Sequence, residues 1–80
     1  MIELFDVKVR DDGTVLLRCF VYDEDVEVPE FELHFKLGTS NVIYVSEGAS
    51  SGYVRQAIFA VNYRYGQKIP IPDHFSYVWY

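Results

Sequence analysis

Six carboxylates, Asp23, Glu24, Asp25, Glu27, Glu30 and Glu32, crowd into one short stretch of the chain with no basic residue among them. Acids at this density can hold a hard cation through oxygen, work as an acid–base pair, or present a negative field to a basic partner. Calcium fits poorly. The segment lacks the glycine that turns an EF-hand loop between its ligands, and an extended chain sends neighbouring carboxylates to opposite sides. Catalysis fits no better. His34 and His74 lie far apart in the chain, and neither belongs to an H-x-x-x-H or H-E-x-x-H spacing. Cys19 sits in the apolar run VLLRCFVY with no base nearby, the setting of a buried, inert thiol. GASSG, residues 48–52, has the glycines of a phosphate loop without its lysine and hydroxyl pattern, and no G-x-S-x-G is present. The expectation is therefore a protein that is not an enzyme and uses neither metal nor cofactor.

Recognition of a partner remains. The net charge is −5, and the six acids of residues 23–32 account for its sign; from Gly48 to Pro72 there is no acid at all, only Arg55, Arg64 and Lys68. A molecule with an acidic pole is ill suited to neutralising phosphates, so direct nucleic-acid binding is not expected. The chain also carries six Phe, seven Tyr and Trp79, with Tyr63, Tyr65, Tyr77, Trp79 and Tyr80 gathered late. Tyr and Trp combine a large contact area with a polar tip and are enriched at interfaces. The candidate partner-binding residues are thus Asp23, Glu24, Asp25, Glu27, Glu30 and Glu32 for charge, with Tyr77, Trp79 and Tyr80 for contact area.

These side chains need elements to hold them. Eighty residues, half of them hydrophobic, make one small domain covering 1–80, too apolar to stay disordered. Asp12-Gly13 lies between two strand-like runs, 2–10 and 14–22, and is the strongest hairpin signal in the chain. The second run has Val15, Leu17, Cys19 and Val21 on one side and Leu16, Phe20 and Tyr22 on the other, which places it centrally in a sheet. Further on, Val26 and Val28 occupy even positions, whereas Phe31, Leu33, Phe35 and Leu37 occupy odd ones. One register cannot bury both sets, so a bulge is expected at Pro29-Glu30, with the acids facing outward on an exposed edge. Charge on such an edge would discourage pairing with other molecules.

Residues 41–46 and 75–80 have the composition of further strands. Residues 53–65 admit two readings, of which the strand is preferred on propensity. Tyr, Val, Ile and Phe favour a strand with Tyr53, Ala57, Phe59, Val61, Tyr63 and Tyr65 on one face. The length favours a helix closed by Gly66. With the strand, the fold is all-β: a small antiparallel β-sandwich or barrel, similar in architecture to Ig and fibronectin-III modules. With the helix, it is α+β, one helix at about 52–65 packed on an antiparallel sheet.

The lone cysteine implies a reducing compartment. The chain shows no apolar run long enough for a membrane span and no signal-peptide pattern, so a soluble cytoplasmic protein without membrane partners is expected. Two functions follow from the surface chemistry. The first is a non-catalytic protein-binding domain, including a small acidic inhibitor of the phage or mobile-element type, that docks on a basic partner. The second is a carbohydrate-binding or accessory module using exposed Tyr and Trp. A homo-oligomer joining acidic and basic surfaces is a third arrangement.

Overall fold

The computed structural model describes residues 1–79. Five strands and one helix follow in the order β1 (Ile2–Val9), β2 (Thr14–Val21), β3 (Glu30–Lys36), β4 (Val42–Val45), α1 (Ser51–Gly66) and β5 (His74–Tyr77). The strands form one antiparallel sheet in the order β4-β3-β2-β1-β5. β2 is central, as its two-sided apolar pattern predicts.

The first hairpin turns where expected. Gly13 takes φ +86, and the Asp12 carboxylate accepts the Thr14 N–H at 2.9 Å. This local closure fixes the register of β2 against β1, which brings Ile2, Leu4, Val15, Leu17, Cys19 and Val21 to one face. β3 adds Phe31, Leu33 and Phe35 to the same face. Leu4, Leu33 and Phe35 are fully buried there, and truncating such a side chain to Ala costs about 3–5 kcal/mol.

Two details of the sheet differ from the sequence expectation. The phase change before Phe31 is absorbed by a loop, not by a bulge in β3: the strand begins at Glu30, and Val26 and Val28 lie in the connection, half-buried. A register shift occurs instead in β1, between Phe5 and Lys8. Asp6 there adopts φ 54, and Val7, despite its odd position, turns into the core.

Residues 51–66 are helical, which corrects the preference for a strand and gives the α+β arrangement. The sheet's apolar face requires a cover, and Val54, Ala57, Ile58 and Val61 recur at the three- and four-residue spacing that supplies one. Ala57 and Ala60, both buried, let the helix axis approach the strands closely. Phe59, Tyr63 and Tyr65, which gave the segment its strand-like composition, point outward and are about half exposed. The helix ends at Gly66 as the helical reading expected, and its closure lies just beyond, past the C-cap Gln67. Lys68 takes the left-handed φ of 57 while Lys68 N–H and Ile69 N–H bond to the Tyr65 and Arg64 carbonyls, a Schellman closure with lysine in the usual glycine position.

The opposite face of the sheet has no second layer among the described residues, and the sheet does not close into a barrel. The sandwich or barrel is therefore replaced by a single open sheet with one helix on one side. Phe5, Leu16 and Phe20 are half-buried on the open face around Arg18. The Arg18 guanidinium lies 4.9 Å from the Phe5 ring centroid and pairs with Asp6 and Glu30. Among the described residues, no helix is long and apolar enough to cross a membrane.

Candidate partner-binding surface

The β2–β3 connection is organised by its first acid. The Asp23 side chain accepts the Asp25 N–H at 3.0 Å, and its backbone carbonyl accepts the Val26 N–H at 3.2 Å. The same carboxylate takes a hydrogen bond from the Tyr53 hydroxyl on the first turns of α1. These donors favour the ionised form, chiefly the Tyr53 bond, and hold Asp23 below the usual carboxylate range. Asp23 is thus an anchor that ties the acidic loop to the helix. Glu24, Asp25 and Glu27 are left exposed around it.

From Tyr53 a row of aromatic rings crosses the helix side of the molecule. Trp79 meets Tyr53 edge-on at 5.8 Å between centroids and stacks on Tyr77 at 5.8 Å. Tyr77 lies 5.9 Å from Phe59, and Phe59 stacks on Tyr63 at 6.1 Å. The inner rings are partly buried against the core, whereas Phe59 and Tyr63 stand about half in solvent. The acidic loop and the rings are therefore continuous through a single hydrogen bond. An open groove of about 920 Å³ adjoins the row, with Val42, Val45, Ile58, Phe59, Tyr77 and Trp79 in its lining.

The six acids do not act as one group. Asp23, Glu24, Asp25 and Glu27 belong to the loop, while Glu30 and Glu32 lie on β3, whose side chains there face the open side of the sheet. Glu30 is held by Arg18, and Glu32 pairs with His34 at 3.0 Å. β3 is not an edge strand either, because β4 covers it. The expectation of an acidic edge is corrected accordingly: the edge on that side of the sheet is β4, which carries no charge. Tyr77 and Trp79 are in the aromatic row, and Tyr80 lies outside the described residues. Tyr53, Phe59 and Tyr63 complete the surface and were not singled out from the sequence as partner-binding. Their signal was the four-residue spacing of Phe59 and Tyr63, which stacks two rings only if the segment is helical.

The reactive groups are placed quietly. Cys19 is buried beneath the helix, and desolvation pushes its thiol up to about 12. His74 begins β5 and pairs with Glu3 at 3.0 Å. Among the described residues, no three His, Cys, Asp or Glu side chains converge where they could hold a metal. The chain matches no known protein family, and no curated protein or solved structure shows significant similarity to it.

Proposed function

We propose that the chain is a non-catalytic protein-binding domain that docks its acidic loop and adjoining aromatic row on a basic patch of its partner. The observation that carries this reading is the Asp23–Tyr53 hydrogen bond, which joins charge and ring surface into one site. Glu24, Asp25 and Glu27 steer the encounter and select against acidic surfaces, and the rings supply desolvated contact area. Occupying a partner's basic site in this way would make the domain a small acidic inhibitor.

The groups that would do this work leave the scaffold alone. Glu24, Asp25 and Glu27 are exposed, and their side chains make no hydrogen bond or ion pair among the described residues. Their charge is available to a partner without breaking the fold. Glycan stacking is less well served: Trp79 already has Tyr77 on one face and Tyr53 at its edge.

The test is capture of proteins from lysate of the source cells, identified by mass spectrometry. Wild type is compared with the combined Glu24→Lys, Asp25→Lys and Glu27→Lys variant. Retention of a protein with a basic surface by wild type, and its loss with the variant and at high salt, is the expected outcome. Equal capture by both chains ends the proposal.

A further inference from the structure

One wall of the groove beside α1 is made by a bulge in β4. Val45 pairs with Leu33 and Val42 with Phe35, and the register shift between those pairs leaves Ile43 as the extra residue. Leu33 and Phe35 are buried on the helix side, so Val42 and Val45, directly opposite them, face that side too. In a regular strand positions 42 and 45 would fall on opposite faces. Ile58 and Phe59 of α1, with Tyr77 and Trp79, supply the rest of the apolar lining of a groove of about 920 Å³. That volume is within the range of small-molecule sites.

The polar lining is unevenly placed. Ser51, Arg55 and Gln56 lie in the first half of α1, and Ile58 and Phe59 follow within the next turn. Asn62, further along, is already engaged: its carboxamide accepts the Gly38 N–H at 2.8 Å and donates to the Thr39 carbonyl at 3.0 Å. Between Arg55 and Asn62 the helix advances about 10 Å. A ligand matched to this layout has an apolar chain of that length and one polar head.

The sign of the head follows from the charges. Arg55 is the single ionised side chain in the lining, and from Gly48 to Pro72 the chain carries no acid. Arg18 is taken up by Asp6 and Glu30, and Arg64 by the Pro70 carbonyl and the Phe75 ring. Arg55 is exposed and makes no hydrogen bond or ion pair among the described residues. A guanidinium left open beside apolar walls is complementary to a carboxylate, which it can hold through two parallel hydrogen bonds.

We propose that the groove binds an amphipathic carboxylate, its acyl chain along Val42, Ile58 and Phe59 and its head paired with Arg55. The site shares Phe59, Tyr77 and Trp79 with the proposed partner contact but does not rest on that reading, since no acid of the loop lines it.

Trp79 lines the groove and is the one tryptophan of the chain, so its fluorescence reports occupancy. Titration with decanoate below its micellar concentration should give a saturable change, together with shifted amide resonances of Val42 and Ile58 in two-dimensional NMR. Arg55→Glu should weaken decanoate binding about tenfold or more, as expected when a charge-assisted hydrogen bond is lost. Its circular dichroism should match wild type, because Arg55 is exposed. Decyltrimethylammonium, with the same chain and the opposite head, should bind wild type more weakly than decanoate and prefer the variant. No saturation in either readout overturns the proposal. So does equal affinity of wild type and Arg55→Glu for decanoate, or of wild type for the two amphiphiles.

Discussion

Asp23 shows how one side chain can serve the scaffold while its neighbours face outward. Its carboxylate accepts from Tyr53 and from the Asp25 N–H, and its pKa is lowered as a result. A carboxyl with a lowered folded pKa stabilises the folded state above its unfolded value, near 4, and loses that contribution as pH falls through the folded value. Loop residues 22–29 should therefore come free of the helix on acidification before the sheet opens. Amide hydrogen exchange of the loop checks this. Tyr53→Phe and Asp23→Asn should each raise loop exchange at neutral pH and leave the protection of Leu33 and Phe35 unchanged.

Cys19 behaves in the opposite sense. Burial raises its thiol to about 12, so the unfolded chain ionises first as pH rises. Its contribution is complete below about pH 8.5 and is lost between there and 12, at roughly 1.4 kcal/mol per pH unit. Urea unfolding at successive alkaline pH values should show that slope, and Cys19→Val should flatten most of it. A thiol reagent at pH 8 should react with Cys19 only after unfolding.

At the scale of elements, the helix is the decisive case. It has no acid in its first turn and no side-chain cap at Ser50, and it closes on Lys68 in a left-handed conformation. Placing a non-glycine residue there costs about 1–2 kcal/mol. Lys68→Gly should therefore raise stability by about 1 kcal/mol in urea unfolding, less than the full figure because glycine loses more backbone entropy on folding. The same features explain what the sequence could show. The Asp12-Gly13 hairpin and the central place of β2 were legible because their signals are local or lie on both sides of one strand. The helix was obscured by Phe59, Tyr63 and Tyr65, whose strand propensity is overridden by the sheet's need for a cover. Once the helix was misread the aromatic row could not be seen, because Phe59 meets Tyr63 only at helical spacing. The shift in β1 had no signal at all, since nothing in Asp6 announces a positive φ.

Across the whole molecule, charge and apolar surface are kept apart. The acids of the loop project from one end of the sheet, Glu30 and Glu32 are engaged on its open face, and β4 is neutral along one edge. On this layout the loop offers the charges of Glu24, Asp25 and Glu27 to solvent, and on the proposed reading the rings beside it supply contact area more than long-range attraction. The most direct measurement is the affinity of a captured partner for wild type and two variants. One is Glu24→Lys, Asp25→Lys and Glu27→Lys combined; the other is Phe59→Ala, a half-exposed ring. The account predicts weakening by about tenfold or more in each, as expected when steering charge or a contact residue worth at least 1.4 kcal/mol is removed. Only the wild-type and Phe59→Ala complexes should remain sensitive to salt. Wild-type affinity in the charge-reversed variant would contradict it.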